Sequence, residues 1–394
     1  MSIAMTFSIC SLLLLFILYK SKISFQLQLL FVLSFIIDFL VILMLPNEGL
    51  YFTDGIDFYN AAMDVLSNNY VNIQLFLDFQ KFIAAADSWH FTPVWVFALV
   101  LHITKTPVCI AIIHVFLMKV SILLWYFVLK YCSSGRVASI AAIFMLFSLY
   151  LKLFSVIPLK DPLVFFLSSV GTFGIVKLYF DKKLAGLFIA LLAFALSLIT
   201  RIYVAGGFTI VLAILMYDMI ARRSATSAEK NKKRGWVVTL AVLVLVIFAY
   251  FITQNSILNS IVAYTMNWIQ VNVLSGSFMA LILRLLLAIP DIYFAPYFFN
   301  SYIAQPVYLP AYFESFVRLL LIGFAIKGVK LIYNSPNRRF IFIVMVIPLL
   351  INMLALEVQY SSSSIRQYMT NYPLICFMLA MGLGAKFTRN QEKE

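Results

Sequence analysis

WHFTPVWVFALVLHITK, Trp89 to Lys105, decides how this chain is folded. It is apolar, but its uninterrupted part runs only about a dozen residues, where a bilayer crossing needs roughly 20. If it crosses, every later loop changes sides. The basic stretch ARRSATSAEKNKKRGW, residues 221–236, is then thrown outside, against the tendency of Lys and Arg to remain in the cytoplasm. If it does not cross, that stretch falls inside with the other basic turns. The segment over residues 92–104 is therefore read as a short re-entrant or interface-lying helix.

The surrounding sequence is membrane protein throughout. Of 394 residues, 63% are hydrophobic and only 11% charged, well above the roughly 45–50% apolar usage of soluble domains. One aqueous core cannot hide so much apolar surface, so the fold expected is an all-α, polytopic transmembrane bundle. Runs long enough to span fall at about 3–19, 27–45, 108–129, 137–157, 162–180, 184–200, 203–221, 236–252, 313–333, 340–356 and 367–385, about eleven in all. Two long outer loops, 46–105 and 253–312, are left, each with room for short helices. No basic residue precedes the first run, and no small-residue cleavage site follows it before Lys20, so it reads as a retained anchor. The cysteines, Cys10, Cys109, Cys132 and Cys376, lie in or at the ends of apolar runs without CxxC spacing.

The formal charge of +13 does not describe a nucleic-acid binder, because the basic residues are not spread along a polar groove. They cluster instead in alternate short loops: Lys20 and Lys22, Lys130 and Arg136, Lys182 and Lys183, residues 221–236, SPNRRF (335–340) and the tail KFTRNQEKE. This positive-inside pattern puts the C-terminus in the cytoplasm and the N-terminus outside. Nearly every residue capable of chemistry then faces outward. No GxxxxGK[ST] phosphate loop is present, which argues against an ATP-driven pump.

Four constellations stand out. In TDGIDFY, Asp54 and Asp57 are three apart, on one face if the segment is helical, with Gly55 between them and Tyr59 following. Two such carboxylates are able to hold a divalent cation, or to let one act as a base with a raised pKa. A solvated outer loop that avoids positive charge accounts for the same acids. In SVIPLKDPLVFFLSS (155–169), Asp161 reads as the N-cap of a helix with Pro162 in its first turn. Lys160 there lies on the side where fixed positive charge is not expected, at a helix N-terminus that already favours anions. In SLITRIYVAGG (197–207), Arg201 stands between two apolar runs, where a guanidinium pairs with an acid or binds an anionic ligand. In EVQYSSSSIRQYMTNYP (357–373), Glu357 and Arg366 flank a serine-rich outer turn, and arginine suits bidentate recognition of phosphate.

Other residues carry less. Asp38 and Lys119 lie inside apolar runs and read as a polar lock between helices. His90, His102 and His114 share no metal-ligand spacing and read as structural, although His90 beside Trp89 is placed to approach a sugar. Arg284 interrupts an apolar stretch too short to span, as in an interface helix covering a lipid-facing site.

The order of these parts resembles polytopic glycosyltransferases of the GT-C type, and is also similar to bacterial surface-polysaccharide proteins of the O-antigen polymerase type. The residues that carry the likeness are DGIDFYNAAMDVL, WHFTPVW, the KD pair at 160–161, Arg201 with the nearby Tyr203, and the outer Arg366 with NYP before the last helix. The GT-C resemblance implies a donor sugar on a polyprenyl phosphate or pyrophosphate and a saccharide or lipid-linked acceptor. It also implies a catalytic aspartate in the first outer loop, acting as base or through a metal; carried over, that role falls on Asp54 or Asp57. The chain departs from the pattern in an extra early helix and in lacking a soluble C-terminal domain. The polymerase resemblance implies instead that Arg201 and Arg366 hold a lipid pyrophosphate. In both, the protein belongs in a bacterial inner membrane. A transporter or flippase of lipid-linked saccharides is the rival class. It would call for broken helices in an inverted repeat around a midplane site, and no convincing repeat is visible.

Overall fold

The computed structural model describes residues 2–45, 53–67, 91–201, 309–351 and 369–391, together with isolated helical positions between 204 and 215. Every regular element among them is helical. Two N-terminal helices, α1 (Ile3–Ser21) and α2 (Phe25–Met44), are joined by a tight turn with Lys22 in the left-handed conformation. Ser2 and Ser24 cap them by accepting hydrogen bonds from the Met5 and Leu27 amides. The outward side chains, among them Leu12, Leu13, Phe16, Leu29 and Leu40, are large, apolar and exposed. That arrangement is stable only against hydrocarbon.

Among the described residues of the first long loop are two helices, α3 (Thr53–Ser67) and α4 (Phe91–Thr104), packed on each other. At 14 residues, α4 is about 21 Å long. It is shorter than the span candidates and packs on α3 and the helix that follows. That next helix, α5 (Pro107–Cys132), is the axis of the bundle. It packs on α1, α2, α4 and the three elements after it, and most of its residues are buried.

After α5 come α6 (Gly135–Phe147) and α7 (Leu149–Val156), bent by 52° about Ser148. Next are α8 (Asp161–Phe180) and α9 (Leu184–Thr200), turned back on each other through Lys182, which is again left-handed. The C-terminal part holds α10 (Leu309–Leu320), α11 (Ile322–Tyr333), α12 (Arg338–Ile341), which runs into a π-helical turn over Phe342–Val346, and α13 (Tyr372–Gln391). Helices α11 and α13 touch backbone to backbone: a Cβ on Gly328 would run into the Met378 carbonyl, and one on Gly382 into that of Phe324. Small residues permit this approach, which is a common solution where lipid offers no hydrophobic drive to associate.

Four described helices, α1, α2, α5 and α8, are long and apolar enough to cross a bilayer, or five spans if the bent pair α6–α7 is one. The structure divides two of the runs expected to cross singly. The run at 137–157 breaks at Ser148, and 313–333 breaks at Leu321. The first break holds because its freed backbone groups find partners, as a membrane interior demands, whereas at Leu321 the helical ladder runs on, the Leu321 amide donating to the Val317 carbonyl. Ser34 of α2 donates to the Leu146 carbonyl, Ser148 accepts from the Leu151 amide, and Glu314 of α10 accepts from the Tyr150 amide at 2.7 Å. In α10 the polar residues Ser315 and Arg318 are buried while Phe313, Phe316 and Leu320 are exposed, so the helix carries its charges inward. The expected runs 236–252 and most of 203–221 lie outside the described residues, as does nearly all of the second outer loop.

Two ionic clusters hold the interior. The Asp38–Lys119 lock is present, and a third member, Lys152 of α7, binds the other carboxylate oxygen. Ser34 accepts from both ammonium groups, at 2.8 and 3.2 Å. In the second cluster, Glu314 accepts from Ser148 and from the Tyr372 hydroxyl. Arg318, 3.9 Å from Glu314, lies over the stacked rings of Tyr150 and Tyr372.

Candidate functional site

At the other end of α5 from its C-terminal turn, three segments far apart in sequence meet. The anchor is the turn Ile157–Lys160 between α7 and α8. Lys160, with helical dihedrals, takes the N-cap position, and Asp161 is the first residue of α8. Asp161 is therefore one place further in than the sequence suggests. It forms an ion pair with Arg201 at 2.9 Å, both side chains being buried. Arg201 gets there because α9 ends on it with an extended backbone.

Helix α3 completes the site. Gly55 lies so close to the turn that a Cβ there would stand 2.8 Å from the Pro158 carbonyl oxygen, so only glycine permits this approach. One turn on, the buried Phe58 presents its ring to the Lys160 ammonium, 5.6 Å from the centroid. The cation is buried too, and a ring face is a favourable neighbour for a desolvated ammonium. Phe58 in turn meets Phe97 of α4 edge to face at 6.0 Å. His114 of α5 closes the back: it lies 5.8 Å from Phe97, beside the Ile157 backbone and within electrostatic reach of Asp161.

Thus TDGIDFY, the KD pair and Arg201, three of the four constellations, come together. Asp57 is exposed on α3 and Tyr59 half-buried. Asp54 occupies the register position one turn before Phe58, and its side chain is outside the described set. His90, Arg284, Glu357 and Arg366 also lie outside the described residues. Sequence reasoning missed Phe58 and the part played by His114. Only Gly55, between two acids in a helix, hinted at a close approach.

Among the described residues the floor of the site gathers Lys160, Arg201 and the carboxylate of Asp161, with the amide end of α8 adding partial positive charge. Cations at a helix N-terminus suit an anion such as a phosphate. Among the described residues no three His, Cys, Asp or Glu side chains cluster as metal ligands. No protein-family model matches the chain, and no curated protein matches it either.

Proposed function

We propose that the chain is an integral-membrane glycosyltransferase that takes a sugar from a polyprenyl phosphate or pyrophosphate at the outer face of a bacterial inner membrane, in surface polysaccharide biosynthesis. The observation that carries this reading is the docking of α3 on the Pro158–Asp161 turn through Gly55, which sets the acidic helix beside buried cations. In the reaction, the bond between the anomeric carbon and the phosphate oxygen breaks and a bond from the acceptor oxygen forms. The lipid phosphate leaves with the electron pair, and the acceptor's proton passes to a carboxylate.

Lys160 and the amide end of α8 stabilise the charge that gathers on the leaving phosphate. Asp57, exposed toward the approaching acceptor, or Asp54 takes the proton. Tyr59 offers a flat surface to a sugar ring. Arg201 positions Asp161, and so the start of α8. This pairing supports the transferase over the arginine-based polymerase, in which Arg201 would have to leave its carboxylate to hold a pyrophosphate. About eleven crossings, with the N-terminus outside and the C-terminus in the cytoplasm, complete the reading.

The test is sugar transfer from a polyprenyl-phosphate-linked donor by purified protein. Replacing both Asp54 and Asp57 by Asn is expected to lower the rate by roughly 10²–10⁴-fold, the worth of a general base, while donor binding survives. Full activity in the double variant would end the carboxylate mechanism.

A further inference from the structure

The end of α8 opposite the proposed site holds a second feature. Phe340 of α12 packs its ring on Tyr179 and Phe180, with centroids 4.7 and 4.8 Å apart, at the last turn of α8. This helix of 20 residues puts about 30 Å between Phe340 and Asp161. Beside Phe340, a cleft of about 500 Å³ opens between α11, α13 and the π-helical turn. Its walls are apolar, formed by Ile332, Phe342, Leu374 and Met378 among others, while Tyr333, Arg338 and Arg339 stand at its rim. Both arginines are exposed, and Arg338 lies 5.5 Å over the Tyr333 ring.

We infer that this cleft binds one molecule of an anionic membrane phospholipid, with the phosphate taken by Arg338 and Arg339 and an acyl chain laid between α11 and α13. Three observations identify the occupant. The outward residues of α11, Ile326 and Val329, are exposed and apolar, so the cleft opens sideways onto the surface that hydrocarbon covers. Its volume is that of a small-molecule site, within roughly 300–1,000 Å³, whereas a protein partner would need a broad flat surface. The rim places two guanidiniums, the group best shaped for bidentate phosphate contact, in the two residues immediately before the buried Phe340 that fixes the turn. The π-helical turn contributes as well: its wider winding carries Phe342 and Val346 into the wall, and such turns recur at functional sites. The inference stands apart from the transfer reading, since it uses no residue of that site.

The experiment is native mass spectrometry of the full-length chain in detergent, titrated with phosphatidylglycerol, with phosphatidylcholine and with glycerol phosphate, alongside the thermal midpoint in each. The expected result is one phosphatidylglycerol retained per chain with a raised midpoint, and much weaker retention of the zwitterionic lipid. Arg338→Gln/Arg339→Gln should lower retention by about tenfold per arginine, the scale of a lost charged hydrogen bond. Val329→Trp, which fills the mouth from an exposed position, should abolish retention with both arginines intact and the protein folded. Equal retention of the two lipids, undiminished binding in both variants, or equal protection by glycerol phosphate would overturn the inference.

Discussion

Replacing Asp161 by Leu removes the charge at similar size, leaving the Arg201 guanidinium buried without its carboxylate. The two side chains are only 2% and 7% exposed and stand 2.9 Å apart, so the pair belongs to the desolvated class rather than the surface one. Removing one member of such a pair costs roughly 3–5 kcal/mol, because the survivor's charge stays buried, and Arg201→Met should cost about the same. Exchanging both, Asp161→Leu with Arg201→Met, removes the charges together; comparable replacements range from neutral to stabilising by about 1–4 kcal/mol. The singles would sum to roughly 6–10 kcal/mol if independent, so the double variant should depart from additivity by most of that amount.

Unfolding by denaturant in mixed micelles reads this cycle. The buried Trp125 in α5 is one reporter, and expression level gives a second, cruder one. If each single variant stays within about 1 kcal/mol of the parent, the pair behaves like an exposed one and the reasoning fails. It fails equally if the double variant loses the sum of the two singles. On the transferase reading, the double variant is stable yet defective in donor use, which separates a charge needed for chemistry from one needed for folding.

Two further outcomes follow from the other buried charges and from the loops. Asp38→Asn should destabilise by roughly 3–5 kcal/mol, since it strands two ammoniums. Lys119→Met leaves Asp38 matched one to one with Lys152 and should stay within about 1.5 kcal/mol; the reverse ranking in micelle unfolding would show that Lys152 does not share the carboxylate. Cysteine labelling in cells should find residues 224–234 inside and residues 60–80 outside, and labelling of both from one side would remove the outer-face assignment.

The apolar runs were legible wherever a helix is continuous: 184–200 matches α9 to the residue, and the runs at 3–19, 108–129 and 162–180 match α1, α5 and α8 to within a few. Hydropathy could not reveal the breaks at Ser148 and Leu321, because a serine or leucine hardly alters a windowed average. What makes the first break affordable is Glu314, 166 residues away in sequence. Lys152 escaped the polar lock for the same reason, since it reaches Asp38 only through the bend. At the candidate site, each charged residue was visible as an oddity in its own run. Their convergence depends on Gly55 meeting the Pro158 carbonyl, a contact with no periodicity to announce it.

Placement within the bundle separates the buried ionic groups into two kinds. Asp38 and Glu314 each bind the broken α6–α7 segment, whose exposed amides and carbonyl would otherwise be orphaned in the membrane interior, so folding itself explains them. Asp161 and Arg201 join the first residue of α8 to the end of α9, two helices already packed along their length and linked by a tight turn at the opposite end. An ion pair adds least to association where packing is already extensive, and burying one is weak evidence of a stabilising role. A second buried cation, Lys160, lies on the same turn and over the Phe58 ring of α3, so the start of α8 gathers charged side chains from three segments at a place where no helix break calls for them.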